Sequence, residues 1–300
     1  MPRIGIDVGG TKIAAVVLGP DGSVQWDRRV STPRDDYAGT IAAIAGLVED
    51  AERTAGVRCS VGLGIPGAVS PATGLIKNAN STWLNGRPFA EDLAAKLGRE
   101  VRLANDANCL AVSEATDGAA AGAEVVFGVI LGTGTGGGLV VRGRVMTGAN
   151  AIAGEWGHNP LPWPDDDERP GPACYCGRRG CNETFLSGPG IAADYARRGG
   201  DAVRSEVILE RAANGELLAT EVVDTWERRL AKALAVVINV VDPDVIVVGG
   251  GLSRVDRLYE RVPSYWSAWV FSDTVRTALR PAAFGDASGV RGAAWLWGLC

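Results

Sequence analysis

Histidine is all but missing from this chain. Its 300 residues contain one, His158, so any role for an imidazole falls there. Basic tracts are absent too. Thirty Lys and Arg against 35 Asp and Glu give a net charge of −5, with no electrostatic footprint for nucleic acid or an anionic membrane. No apolar run is long enough to span a bilayer, and the opening Met-Pro-Arg-Ile-Gly-Ile-Asp enters a strand-like run without the apolar segment of a signal peptide. Cysteine is sparse: of six, Cys59, Cys109 and Cys300 are scattered and read as reduced thiols. A cytoplasmic protein with small-molecule partners follows, with neither nucleic acid nor membrane among them.

Glycine, by contrast, is abundant at 41 residues, much of it in short runs that bring backbone close to a ligand. The 46% hydrophobic content and the length fit two α/β lobes. Ile4–Asp7 and Ala14–Leu18 read as strands joined by Gly9-Gly10-Thr11-Lys12. The pattern recurs as Val126–Leu131, a glycine turn over 132–138, and a strand over 139–141. Apolar positions at 3–4 spacing predict helices over 35–56 and 221–241, and Ser288–Trp297 reads as a short closing helix. Residues 160–173, rich in Pro and Asp, read as an exposed loop.

Four motifs carry chemistry. The Asp7–Lys12 turn is neither a Walker A loop nor a glycine turn opening a helix, since a strand follows. Its glycines can wrap an anion with backbone amides, and Asp7 can hold Mg²⁺ through water. Gly132-Thr133-Gly134 supplies a second such turn, and Gly249-Gly250-Gly251 a third close approach. Asn105-Asp106 follows a strand, where ligands of α/β sheets collect. There Asp106 can take a proton from an attacking hydroxyl, and both residues can equally cap a helix. Finally, His158 with Cys174, Cys176 and Cys181 offers the four N/S donors of a structural zinc site, Gly177 and Gly180 allowing the tight knuckle. Glu155, Glu183, Asn80 and His158 are further polar groups suited to a polyhydroxylated ligand.

Together and in this order, Ile4–Lys12, Leu103–Asn108, Leu131–Gly138, and Gly154–His158 with Cys174–Glu183 resemble the ROK (repressor, open reading frame, kinase) family of sugar kinases. The resemblance covers essentially the whole chain. It implies the two-lobed actin/hexokinase-like (ribonuclease H-like) ATPase fold, with an active-site cleft between the lobes and a small zinc knuckle. Residues 1–115 plus about 288–300 would form the small lobe. Residues 116–287 would form the larger lobe with the zinc loop, 158–183. The resemblance assigns Asp106 as general base; Asn80, Asn105, Asp106, Glu155, His158 and Glu183 to the sugar; and Asp7, Gly9, Gly10, Thr11, Lys12, Gly132, Thr133, Gly134, Gly249 and Gly250 to ATP with Mg²⁺. His158, Cys174, Cys176 and Cys181 take its structural zinc.

Within the family, Lys77–Gly86 and Asn159–Trp163 resemble the bacterial fructokinase/mannokinase branch. Phosphorylation of D-fructose, and of mannose, at the 6-hydroxyl is the expectation. The alternatives are a glucokinase, an N-acetylhexosamine kinase, or a sugar-sensing regulator. The last carries an N-terminal DNA-binding extension for which Ile4, already in the first hairpin, leaves no room. Sugar and nucleotide are the implied partners. Members of the family are often dimers, so a homodimer is the implied assembly, although no stretch marks an interface.

Overall fold

The computed structural model describes residues 2–298; Cys300 lies outside them. In chain order the first elements are β1 (Arg3–Val8), β2 (Lys12–Leu18), β3 (Val24–Ser31), α1 (Tyr37–Ala55), β4 (Ser60–Ile65), β5 (Ala68–Val69), β6 (Ile76–Lys77), α2 (Phe89–Leu97), β7 (Arg102–Asn105) and α3 (Asp106–Thr116). They build a five-stranded sheet in the order β3-β2-β1-β4-β7, with β5 and β6 as a separate ribbon. Strand β1 pairs antiparallel with β2 and parallel with β4, and β4 pairs parallel with β7. Ile4, Ile6 and Val8 of β1 are fully buried with Val61 and Leu63 of β4, which explains the near-continuous apolar runs. Strand β3 gave no apolar signal because it is an edge strand with most side chains in solvent.

Helix α1 follows from its pattern. Asp36 accepts from the Gly39 amide at its start, Gly56 closes it at φ +67°, and Ile44, Leu47, Val48 and Ala51 line its buried face.

The chain continues through β8 (Val125–Leu131), β9 (Thr135–Val141), β10 (Arg144–Val145), α4 (Asn182–Leu186), α5 (Gly188–Arg197), α6 (Ser205–Ala213), α7 (Leu217–Val241), β11 (Val245–Gly249), α8 (Leu258–Ser264), β12 (Ala278–Pro281) and α9 (Ser288–Trp295). The second sheet has the order β10-β9-β8-β11-β12, the first sheet's order repeated. Helix α7 buries Val222, Trp226, Leu230, Leu234 and Val237, and ends at Asp242, where Pro243 forbids another turn.

Two expectations need correction. The second glycine turn is shorter than 132–138, because β9 begins at Thr135 and Gly136–Gly138 are strand residues. A Cβ at Gly137 would stand 2.5 Å from the Gly154 carbonyl oxygen, and one at Gly138 2.5 Å from that of Ala107. Those glycines serve close backbone packing rather than an anion. Nor is 160–173 simply an exposed loop. Leu161 and Glu168 are buried, and Glu168 Oε1 accepts from Arg229 Nε of α7 at 2.7 Å. Arg229 also donates to Asp194 Oδ2 at 2.7 Å, while Lys232 Nζ donates to Asp165 and Glu168 at 3.1 and 3.2 Å. Burial pushes Glu168 and Asp194 up, but Arg229 together with Lys232 at Glu168, and with Arg198 and Arg197 at Asp194, outweighs it and holds both below the ordinary carboxylate range.

The chain divides into two compact units. One comprises Met1–Glu124, Gly138–Ala153 and Ala283–Cys300; the other comprises Val125–Gly137 and Gly154–Ala282. The division falls inside β9, and α9 returns to pack on β1, β4 and α3 of the first unit. Among the described residues no helix is long and apolar enough to cross a membrane.

Candidate active site

The first unit carries the acids. Asp7 is the penultimate residue of β1, in register with Ala14 of β2 and Gly64 of β4. The turn that follows is held by the Gly9 amide donating to the Lys12 carbonyl at 3.0 Å and by Thr32 Oγ1 donating to the Gly9 carbonyl at 2.7 Å. Gly10, Thr11 and Lys12 are left exposed. Burial, then the charge of Asp106, raises the pKa of Asp7 to about 6, against a lowering by Lys12. Two carboxylates that resist joint ionisation form a donor set that a divalent cation would relieve, so Asp7 fits the Mg²⁺ assignment.

Asp106 opens α3. Asn105 ends β7 and caps the helix, its Oδ1 accepting from the Ala107 amide at 2.8 Å; Asp106 Oδ1 accepts from the same amide at 2.8 Å. The cap and the candidate base are therefore one local structure. Burial raises the pKa of Asp106, and its hydrogen bonds to the Ala107 amide and Asn105 only partly oppose this. Cys109, one helical turn on, is fully buried, and burial followed by the charges of Asp7 and Asp106 keeps its thiol protonated. Asn80 is exposed, with its amide donating to the Pro66 carbonyl at 3.2 Å.

The second unit carries the remaining groups. Its two glycine turns meet: a Cβ on Gly132 would lie 4.0 Å from the Gly251 amide. Gly250 holds φ at +84°, and a Cβ there would come within 2.4 Å of the Leu131 carbonyl oxygen. Glu183 lies in the first turn of α4 and accepts from the Thr135 amide through Oε2 at 2.9 Å, just past Gly132-Thr133-Gly134. Its own amide donates to the Gly157 carbonyl at 2.9 Å, and Trp156 Nε1 donates to the Gly136 carbonyl at 2.9 Å. These bonds pin the Glu155–His158 loop onto β9, with Glu155 exposed and His158 half-buried.

The four candidate zinc donors come together. One ligand atom from each of His158, Cys174, Cys176 and Cys181 lies within 4.8 Å of the others. His158 Nδ1 is 3.6 Å from Cys174 Sγ, and Cys176 Sγ is 3.6 Å from Cys181 Sγ. A tetrahedral zinc with bonds of about 2.0–2.3 Å spaces its ligands roughly 3.5–3.8 Å apart, so these edges fit the ion.

Two features escaped the sequence reading. The Glu168–Arg229–Lys232 cluster joins positions too far apart in the chain to pair by spacing. Tyr175, between two of the candidate zinc donors, places its hydroxyl 3.0 Å from His158 Nε2, the ring nitrogen expected to meet a ligand.

Comparison with known proteins adds the family. The ROK family model matches residues 3–298. The N-acetyl-D-glucosamine kinase of Pasteurella multocida is 40% identical over 300 residues, covering 98% of this chain and 99% of that protein. The crystal structure of a ROK hexokinase from Thermus thermophilus superposes with a TM-score of 0.86 at 33% identity, covering 99% of this chain and 97% of that one. A ROK family glucokinase from Streptomyces griseus, in complex with glucose and AMPPNP, gives a TM-score of 0.78 at 28% identity over 99% of both chains.

These findings do not support the fructokinase/mannokinase branch. The residues behind that expectation do structural work instead. Asn85 bridges the Ala79 amide and carbonyl at 2.8 and 2.9 Å, Trp83 Nε1 donates to Thr40 at 3.2 Å, and Trp163 stacks on Trp269.

Proposed function

We propose, from the premise that this chain belongs to the ROK family, that it is an ATP-dependent sugar kinase whose acceptor is N-acetyl-D-glucosamine. The observation that carries the chemistry is Asp106, a desolvated carboxylate at the start of α3 with its pKa raised. The choice of sugar rests on the name of the relative that is 40% identical over nearly the full length of both chains.

In this reading Asp106 accepts the proton of the sugar's 6-hydroxyl as that oxygen attacks the γ-phosphorus, and the bond to the leaving ADP breaks in line. Asn105 orients the hydroxyl. Glu155, His158, Glu183 and Asn80 read the other sugar hydroxyls. Backbone amides of Gly9–Lys12 and Gly132–Gly134 face the phosphates, and Gly249 and Gly250 leave room for the rest of the nucleotide. Asp7 would hold Mg²⁺ through water, supplying positive charge to the phosphate oxygens. His158, Cys174, Cys176 and Cys181 would hold a zinc that is structural, since four protein ligands leave no position for a reacting water. Most of the rate enhancement is positioning and electrostatics, as expected for a loose phosphoryl-transfer transition state.

Glucose is the second reading, favoured by the glucose complex of the relative at 28% identity. The test is a coupled ADP-release assay with Mg-ATP against N-acetylglucosamine, glucose, N-acetylmannosamine, mannose and fructose, each taken to saturation. N-acetylglucosamine should give the highest kcat/KM. A preference for glucose would move the assignment to the second reading, and ADP release with none of the sugars would overturn both.

A further inference from the structure

Tyr175 is placed oddly for a residue of a metal knuckle. Its neighbours Cys174 and Cys176 turn toward the cluster, yet Tyr175 itself is 79% exposed. Its ring meets His158 edge to face, with centroids 5.1 Å apart at 85°, and its hydroxyl is 3.0 Å from His158 Nε2. The exposed ring is thus held to the cluster through His158 alone among the contacts of its hydroxyl.

The hydrogen-bond roles follow from the cluster. With Nδ1 of His158 facing the cysteine sulfurs, an ion held by the cluster would take Nδ1 and leave the proton of a neutral imidazole on Nε2. Nε2 then donates, Tyr175 Oη accepts, and the phenol proton is left for another acceptor. An oxygen that accepts from an imidazole and keeps its own proton to donate has the bonding pattern of a sugar hydroxyl on His158.

We propose that Tyr175 occupies a sugar hydroxyl's position on His158 in the sugar-free protein and is displaced when the sugar binds. This rests on the reading that Glu155, His158 and Glu183 recognise the sugar. Displacement is undemanding. The exposed ring leaves no core packing behind, and the knuckle backbone is held independently by Cys174 N donating to the Arg178 carbonyl at 2.8 Å and Gly177 N to the Cys174 carbonyl at 3.0 Å. The side chain can rotate while the ligands stay. Tyr175 is then an internal competitor that weakens sugar binding by about the worth of one neutral hydrogen bond, roughly two- to tenfold.

The experiment compares Tyr175→Phe, Tyr175→Ala and Glu183→Gln with the parent enzyme. It measures KM for the preferred sugar and for ATP, kcat, and zinc content. Both tyrosine variants should lower the sugar KM about two- to tenfold, with zinc, kcat and the ATP KM held. A raised sugar KM in both would make Tyr175 a brace for His158 and overturn the proposal. An unchanged KM would overturn it too. Glu183→Gln separates the two layers. If it raises the sugar KM while Tyr175→Phe does not lower it, only the displacement fails. If Glu183→Gln leaves the sugar KM intact, the assignment of the sugar to these residues fails and the displacement with it.

Discussion

The two sheets share one strand order and differ in what they place at the end of the central hairpin strand. Counting back from the first glycine of each turn, β1 has Asp7 where β8 has Ile130. The first hairpin therefore lodges an acid directly at a strand end, beside the candidate base of α3. The second leaves that position apolar and obtains its carboxylate, Glu183, from a helix start some fifty residues on, tied back to the turn through the Thr135 amide. A duplicated scaffold has been used in two ways. One copy builds chemistry into the strand. The other supplies a turn against which a separate loop, which leads into the cysteine cluster, is held. That contrast predicts that changes in the first hairpin act on turnover or charge balance, and changes around the second act on recognition.

The largest effect should come from Asp106→Asn. Loss of the base should cut kcat by about 10²–10⁴ while the sugar KM moves only a few-fold. Near-normal turnover in steady-state assays would remove Asp106 from the mechanism.

Next should come loss of the cluster through Cys181→Ser or a chelator. The loop would lose its order, so the sugar KM should rise by roughly tenfold or more while the ATP KM holds. Equal damage to both would erase the division of labour between the two hairpins.

Asp7→Asn should separate stability from activity. The folded pKa of Asp7, about 6, lies above the ordinary value of 3.8, so the folded state binds this proton more tightly. The stability it confers is fully present below pH 3.8 and lost as pH rises through 6. At 1.36 kcal/mol per unit, the variant should gain up to ~3 kcal/mol over the parent between pH 4 and 7, while losing kinase activity. Denaturant titrations across that range check the gap, which Mg²⁺ should narrow. A gap independent of pH would mean Asp7 is not strained by its neighbours.

The smallest effect should be Gly251→Ala. No atom lies within 4 Å of its would-be Cβ, so stability should change by no more than about 0.5 kcal/mol. Gly250→Ala, blocked by Leu131 and by its positive φ, should cost well above that in the same thermal melt.

Much of this was legible in the sequence, for identifiable reasons. Buried strands and long amphipathic helices announce themselves by apolar periodicity, which is why β1, β2, β8, α1 and α7 stand near where the pattern puts them. Strand β3 did not, because an exposed edge strand has no such pattern. The cysteine cluster was legible because its ligands are local and chemically distinctive. Glycine runs were only half legible. Composition cannot separate Gly134, at the turn beside Glu183, from Gly138, which is small because the Ala107 backbone comes close. The buried ion pairs of Glu168 and Arg229, like the Tyr175 contact, depend on tertiary approach and leave no local trace. The sugar was the least legible of all, because the loop residues that suggested fructose hold the loop together.

The solitary histidine has a practical consequence. In protein labelled with ¹⁵N only at histidine, every imidazole resonance belongs to His158, so one pair of nitrogen signals covers the whole molecule. Nδ1 reports on what the sulfurs hold, and Nε2 on whichever hydroxyl it faces. Loading the cluster and adding sugar should therefore be readable as separate shifts on opposite sides of a single ring, with no assignment problem to solve first.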